Sequence, residues 1–213
     1  MAGLQEVSAR QRGRPRLEDA SEIDNDLLAA ALSEFVENGY DKASMRSIAK
    51  AANVHRTTLL GRYATKEQLF QAIMQQQIGK MSAVTSLRFD GPPNLRRGLI
   101  AYANRAFAYS LEGDYLEINR LIYASANRFP AVAAAAKQST ALGIAQISDF
   151  IRECAKADGV PARAPDLAAE CFTLLLRGWY GYAIVSEQPI TAAERERWVE
   201  QMVDLLLQGR SAW

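Results

Sequence analysis

Apolar side chains recur every three or four residues through most of this 213-residue chain, and that spacing constrains its fold more than any other feature. Leu27, Ala31 and Phe35 mark one such stripe, and Trp198 and Met202 show the same period near the other end. No stretch between turn signals shows the sustained alternation of a strand. Because 49% of the residues are hydrophobic, the helices can bury a core. The sequence therefore predicts an all-α fold of about nine helices without internal repeats.

Turn and cap residues divide the first third of the chain into one long helix and two short ones. Gly39 ends the first stripe as a residue suited to a left-handed backbone, and Ser44 is a candidate N-cap for a short helix. Asn53-Val54 breaks that helix, and a second short helix begins at about Arg56. Two short helices joined by a tight turn after a longer helix are typical of a helix-turn-helix unit.

Charge is distributed in blocks, although the formal net charge is only +1. Residues 1–17 carry four arginines and one acid, whereas residues 18–41 carry eight acids and no Lys or Arg. Residues 42–66 carry six basic residues and no acid, and residues 67–213 are balanced. A near-neutral total excludes a protein that coats polyanions through bulk charge. The local excess over 42–66 favours a directed contact with DNA.

Cationic and hydroxyl side chains fall where a helix-turn-helix unit meets DNA. Arg46 and Lys50 are four residues apart on the first short helix, away from the apolar face that Ile48 marks. Lys66 lies in the first turn of the next helix, where free backbone N–H groups favour a phosphate. The second short helix and its start supply the other candidate DNA-binding residues, which are His55, Arg56, Thr57, Thr58 and Arg62.

At these residues the chain resembles the TetR family of bacterial one-component repressors. The resemblance covers roughly residues 22–70, and it is carried by the runs 35–40, 44–49 and 54–70, in which caps, turn and core positions agree in order and spacing. The runs 120–123 and 128–130 are similar to one subgroup of the family's regulatory domains.

The resemblance implies a role for each candidate residue. Arg46, Arg56, Thr57 and Thr58 would face base edges or nearby phosphates, and Ser44, Arg62 and Lys66 would hold the DNA backbone. His55 would contact a phosphate or remain a plain surface residue. The implied domains are a flexible basic arm over residues 1–20, a DNA-binding helix-turn-helix domain over 21–66, and a regulatory domain for ligand binding and dimerisation over 67–213.

Three positions depart from the family pattern. Asn53 stands where the family usually has Gly, and Asn is the non-Gly residue that best tolerates a left-handed turn. Leu60 replaces a Tyr that commonly donates its hydroxyl to a phosphate. Gly61 costs roughly 1 kcal/mol of helix propensity relative to Ala. It either allows a close approach of the backbone to DNA or is merely tolerated.

The basic N-terminal arm contains a short motif of its own. The run from Arg12 through Gly13, Arg14 and Pro15 to Arg16 resembles the core of an AT-hook, an extended strip that lies in a narrow A·T-rich minor groove. The alternative is a solvated basic tail. Because the motif adjoins a helix-turn-helix unit, we expect Arg12, Arg14 and Arg16 to bind DNA.

Cysteine usage and hydropathy predict a cytoplasmic protein with no membrane contact. Cys154 and Cys171 have no metal-ligand spacing, and we expect both to be small buried hydrophobes rather than a disulfide. The basic N-terminus lacks the apolar segment of a signal peptide, and the longest apolar stretches are too short to span a bilayer.

The family resemblance further implies a mostly apolar pocket and a dimer interface in the regulatory domain. Small residues beside larger ones could leave space for this pocket. The candidate lining residues are Tyr102, Ala106, Phe107, Tyr123, Gly143 and Ile147. We expect a small apolar or amphipathic effector there. The last two helices, roughly 165–186 and 192–208, look like the pair that forms a four-helix interface in family dimers. The candidates there are Leu174, Leu175, Gly178, Tyr182, Trp198, Met202 and Leu205.

The sequence offers no set of residues for catalysis, metal binding or a cofactor. His55 is the only histidine, and there is no Ser/His/Asp set, metal cluster or Gly-rich phosphate loop. The predicted function is a ligand-responsive, dimeric transcriptional repressor that binds a pseudo-palindromic, double-stranded DNA operator. The alternatives are a helical enzyme acting on a small molecule and a DNA-binding protein without a ligand.

Overall fold

The computed structural model describes residues 17–84, 92–186 and 190–210, and for residues 17–23 and 84 it describes the backbone only. Across these ranges the chain forms nine helices and no strand, which confirms the predicted all-α fold. They are α1 (Leu17–Lys42), α2 (Met45–Ala51), α3 (Arg56–Arg62), α4 (Lys66–Val84), α5 (Leu95–Leu111), α6 (Asp114–Ser125), α7 (Pro130–Asp158), α8 (Pro165–Val185) and α9 (Ala192–Gln208). Arg12, Arg14 and Arg16 lie outside the described residues.

The chain divides into two compact units, and the division falls between Lys66 and Glu67. In the first unit, α2 packs against both α1 and α3. The apolar stripe of α1 is buried at Leu27, Ala31 and Phe35. Each of the short helices has a buried face as well, at Ile48 and Ala49 on α2 and at Leu59 on α3.

Gly39 interrupts α1 with a positive φ of 72° and a ψ of 165°. The left-handed region predicted at this position is therefore present. The backbone at Gly39 is not helical, so the continuous part of α1 ends there as predicted, and a last turn reaches Lys42 beyond the kink.

The core of the second unit is built by α5, α7, α8 and α9, which pack against one another around one apolar cluster. Phe107, Phe172 and Val199 are among its buried members. Cys154 belongs to this cluster, but Cys171 is exposed on α8, so the expectation of burial holds for only one of the two cysteines. No helix within the described ranges is long and apolar enough to cross a membrane.

Candidate nucleic-acid interface and cavity

Ser44 caps the first helix of the predicted helix-turn-helix unit. Its hydroxyl accepts a hydrogen bond from the Ser47 N–H at 3.0 Å, and the Ser44 N–H donates to the Ser47 hydroxyl at 3.1 Å. This reciprocal pair is a capping box, which satisfies two backbone donors that have no partner within the helix. The predicted N-cap is therefore confirmed.

The turn between α2 and α3 depends on a left-handed residue. Asn53 has a φ of 51°, as its position in the family pattern predicts. Its N–H donates to the Lys50 carbonyl at 3.2 Å, and the Val54 N–H donates to the Ala49 carbonyl at 3.0 Å. Those two bonds form a Schellman motif, which satisfies the last carbonyls of α2 and fixes the direction in which the chain leaves it.

Both short helices expose the polar residues that the sequence predicts for DNA. Arg46 is exposed on α2, and Arg56, Thr57 and Thr58 are exposed on the first turn of α3. His55 is the exposed N-cap residue of α3, and its side chain makes no capping hydrogen bond. Among the described residues, Arg46 and Arg56 have no ion-pair partner. Their charges are therefore available to an external anion.

Arg62 is engaged within the first unit. Its guanidinium forms an ion pair with Asp24 of α1. One acid of the block over residues 18–41, Asp24, thus pairs with a residue that was predicted to contact phosphate. A phosphate would have to compete with the Asp24 carboxylate or share the guanidinium with it.

Lys66 is used differently from the prediction. Its ammonium donates to the Tyr40 carbonyl at 2.7 Å, the Ala43 carbonyl at 2.9 Å and the Asp41 carbonyl at 3.3 Å. It also lies 4.4 Å from the centre of the Tyr40 ring. Because an ammonium has three N–H donors, this arrangement uses all of them. Lys66 therefore holds the end of α1 in place, and its ammonium has no N–H group left for a phosphate.

A cavity of about 390 Å³, partly open to solvent, lies in the second unit. Five of the six residues predicted for a pocket line it, namely Tyr102, Ala106, Phe107, Tyr123 and Gly143. Gly143 leaves room for the Tyr102 side chain, because a Cβ atom at this position would lie 3.1 Å from the Tyr102 hydroxyl oxygen, a tight contact. Ile147 does not line the cavity. It is fully buried in the core cluster, because it faces the packed side of α7.

Polar cavity residues are what the sequence analysis missed. The lining includes Ser110, Asn119, Thr173, Lys137 and Arg177. Asn119 is buried, and its amide donates to the backbone carbonyls of Ser110 at 3.0 Å and Tyr115 at 2.9 Å. The missed signal was the spacing of Thr173, Arg177 and Tyr180, at i, i+4 and i+7, which places three polar groups on one face of α8.

Tyr180 is the most unusual of the cavity residues. Only 6% of it is exposed, its ring centre is 5.6 Å from that of Tyr123, and its hydroxyl has no hydrogen-bond partner. Burial raises the pKa of Tyr180, and Tyr123 raises it further, whereas the charge of Arg177 and the nearby Ser110 hydroxyl lower it. Ser110 influences this pKa without reaching hydrogen-bonding geometry. The hydroxyl is therefore a buried group with unused bonding capacity.

The last two helices expose part of the predicted interface. Leu174, Leu175, Tyr182 and Leu205 are exposed, and Gly178 has open space beside its Cα. Leu174 also lines the cavity.

Two predicted interface residues instead face the core. Trp198 is half-buried, with its ring centre 5.2 Å from that of Trp179 and 6.0 Å from that of Phe107. Met202 is buried in the core cluster with 6% of its surface exposed. The apolar face of α9 is wide. One side of it packs against the core, where these two residues lie, and the other side is exposed to solvent.

A helix-turn-helix unit joined to a larger helical domain with a cavity defines a class of DNA-binding regulators, and the comparisons with known proteins agree with it. Residues 27–73 match the bacterial regulatory proteins of the TetR family. Residues 97–209 match the C-terminal domain of AefR-like transcriptional repressors. The chain belongs to the TetR family of bacterial transcriptional regulators.

Individual relatives show how much of the chain is shared. The HTH-type transcriptional repressor Rv1474c of Mycobacterium tuberculosis is 26% identical over 164 residues, which cover 76% of this chain and 83% of that protein. A TetR-family regulator from Mesorhizobium loti is 25% identical with a TM-score of 0.72, covering 89% of this chain and 96% of that chain. The flavonoid-responsive regulator FrrA is 26% identical with a TM-score of 0.63, covering 89% and 97%.

Proposed function

We propose that the protein is a dimeric, effector-responsive repressor that binds a pseudo-palindromic operator. The observation that carries this proposal is the exposed set of polar residues on α2 and α3, where Arg46, Arg56, Thr57 and Thr58 lie on either side of a left-handed turn. An α-helix fits the major groove, and arginines there bind guanine edges or phosphates. Ser44, His55 and Arg62 are proposed to contact the DNA backbone.

Dimerisation is proposed to occur through α8 and α9. Tyr182 and Leu205 are 64% and 68% exposed, so each presents apolar surface that a second copy would cover. A two-fold dimer places two recognition helices about one DNA turn apart, or ~34–36 Å, on a pseudo-palindrome. Residues 21–66 would then bind DNA, and residues 67–213 would bind the effector and the partner.

We propose that an effector bound in the cavity of the second unit changes the distance between the two recognition helices of the dimer. One of the relatives is named as flavonoid-responsive, and a small-molecule response is the property we carry to this chain. An effector changes DNA affinity only to the extent that it binds one dimer geometry better than the other. The cytoplasm is the proposed compartment for this exchange between DNA-bound and effector-bound forms.

The test is binding to the DNA that flanks the protein's own coding region, followed by footprinting. We expect a protected pseudo-palindrome with half-sites one helical turn apart. Arg46→Ala and Arg56→Ala should each weaken operator binding by about 1–3 kcal/mol if the side chain is bidentate to guanine. Lys80→Ala removes an exposed positive charge from α4 and is the matched control, which should bind normally. Equal loss in all three variants would contradict a specific interface on α2 and α3.

The N-terminal arm needs its own experiment. Deleting residues 1–17 should weaken operator binding and reduce the dependence of affinity on salt, because each arginine that neutralises a phosphate releases counterions. Titrations of the intact and truncated chains at several salt concentrations measure both quantities. Identical affinity and salt slope would show that the arm does not bind DNA.

A further inference from the structure

The charges around the cavity have one sign. Lys137 on α7 and Arg177 on α8 both line it, and no Asp or Glu among the described residues does so. This asymmetry is local, because residues 67–213 carry equal numbers of acids and bases. We infer that the cavity binds a compact aromatic anion, a carboxylate or phenolate, with its ring between the aromatic walls and its charge at Lys137 and Arg177. This inference rests on the proposed function, since it names the chemical class of the effector.

Both cations are available to a ligand. Neither forms an ion pair among the described residues. The side chains three and four positions away on each helix are uncharged, as Leu174 and Gly181 are for Arg177 and as Ala133 and Thr140 are for Lys137. Arg177 is half-buried, and its charge already acts on Tyr180. Arg177 therefore attracts an anion more strongly than a cation in bulk water does, because its surroundings screen it less, whereas Lys137 is exposed and is screened more by solvent.

The Tyr180 hydroxyl supplies a second, independent observation. It is buried without a hydrogen-bond partner in a residue that lines the cavity, at a cost to the ligand-free protein. Tyr180 follows Arg177 by three positions on α8, so the two side chains lie on one helix face. The hydroxyl oxygen is itself covered, so the Tyr180 side chain has to turn toward the cavity before its phenol can donate to an anionic oxygen that pairs with the guanidinium.

The remaining walls favour a flat, compact body. Tyr102, Phe107 and Tyr123 line the cavity with Tyr180, and aromatic rings pack well against another ring. The volume of about 390 Å³ is near the lower end of the range for small-molecule sites, roughly 300–1,000 Å³. A single fused aromatic system fits this space better than a long acyl chain.

Three isosteric probes test the charge preference. Naphthoate, naphthamide and naphthylmethylammonium share one ring system and carry a negative, neutral and positive group. Their binding to the full-length, DNA-free protein is measured by calorimetry or by the fluorescence of Trp179, whose ring centre is 4.7 Å from that of the cavity residue Phe107. We expect naphthoate to bind about tenfold tighter than the amide, and the ammonium to bind weakest. Equal affinities, or a preference for the ammonium, would overturn the inference.

Substitution of each cation tests whether the carboxylate of naphthoate binds beside it. Arg177→Gln and Lys137→Gln should each reduce naphthoate affinity about five- to tenfold and change naphthamide affinity less than twofold. Lys156→Gln removes an exposed charge from α7 outside the cavity, and should leave both affinities unchanged. If all three variants weaken naphthoate equally, the attraction is a general charge effect, and the anion site is wrong.

Tyr180→Phe separates ligand binding from folding. The variant should lose roughly threefold or more in naphthoate affinity, yet unfold at the same temperature as the parent or higher, because a buried unpaired hydroxyl has been removed. Unchanged naphthoate affinity would contradict the role of this hydroxyl.

Operator release is measured separately, with the protein bound to its footprinted DNA. Binding of naphthoate without release would leave the anion site standing and contradict the proposed switch. Release by a neutral compound, with no preference for anions, would support the proposed switch and contradict the anion site.

Discussion

The Lys66 ammonium lies 2.7 Å from the Tyr40 carbonyl oxygen, so the first residue of α4 is bonded to the last turn of α1. Helix ends leave carbonyls without intrahelical donors, and Lys66 supplies N–H groups to those of Tyr40, Asp41 and Ala43. The stacking of its charge over the Tyr40 ring adds a cation–π contact. This side chain thus closes the first unit where the next helix begins.

Lys66→Met should lower the free energy of unfolding by roughly 1–3 kcal/mol, because part-buried carbonyls lose their donor. Lys50→Met removes an exposed cation from α2 and should change it by less than about 0.5 kcal/mol. Urea unfolding followed by circular dichroism measures both. A Lys66 variant as stable as the Lys50 control would mean that the three hydrogen bonds contribute nothing.

Ser44 should show separable roles in folding and DNA binding. Ser44→Ala removes the cap and should cost about 1 kcal/mol of stability, whereas Asn and Asp at this position preserve a cap. Ser44→Asp should nevertheless bind the operator less tightly than Ser44→Asn, because its charge faces phosphates. Denaturation and DNA titration of the three variants check this. Equal operator affinity for the Asn and Asp variants would place Ser44 away from the DNA backbone.

Asn53 should be replaceable by Gly but not by Ala. At a φ of 51°, a residue with a Cβ atom is strained by roughly 1–2 kcal/mol, and Asn offsets part of this through local hydrogen bonding. We expect Asn53→Ala to lower the free energy of unfolding by about 1 kcal/mol relative to Asn53→Gly. If the two variants unfold at the same urea concentration, the left-handed turn is not populated in solution.

Gly61→Ala and Gly39→Ala should have opposite effects, although each new methyl group enters open space. Gly61 lies within α3, where Ala gains up to about 1 kcal/mol of helix propensity. Gly39 has a φ of 72°, where Ala is strained and should lose about 1–2 kcal/mol. Thermal unfolding gives both signs.

The operator affinity of Gly61→Ala decides between the two interpretations of this glycine. Weaker binding by a more stable variant indicates that the α3 backbone approaches DNA closely at Gly61. Unchanged binding indicates a tolerated residue. A variant that is less stable than the parent would contradict the propensity argument itself.

Charged substitutions on α8 and α9 should dissociate the proposed dimer. Tyr182→Glu and Leu205→Glu each place a carboxylate on strongly exposed apolar surface, and a buried unpaired charge is costly. Leu142→Glu makes the same change at a half-exposed leucine of α7 and is the control. Analytical ultracentrifugation should detect monomers for the first two variants and dimers for the control. Three dimeric variants would place the interface elsewhere.

Local features were predictable because they depend on a few neighbouring residues. The Ser44 cap and the left-handed Asn53 follow from side-chain hydrogen bonding and backbone sterics over three or four positions. Part of the cavity wall was predictable as well, since Gly143 and Ala106 beside Tyr102 leave space, but its polar residues were not. The contacts of Lys66 were not, because its partners at Tyr40, Asp41 and Ala43 lie more than twenty positions away in the sequence.

The helices, the Ser44 cap and the exposed basic positions of the helix-turn-helix unit can be read from the chain alone, because period, cap and charge block are each local properties. How each apolar face is divided depends on which helices pack against it. The tertiary structure assigned Met202 to the core and Leu205 to the surface, and it placed Gly143 at the cavity but Ile147 in the packed interior. Periodicity identifies a face of about 100° or more, and neighbouring helices then decide which side of that face is covered.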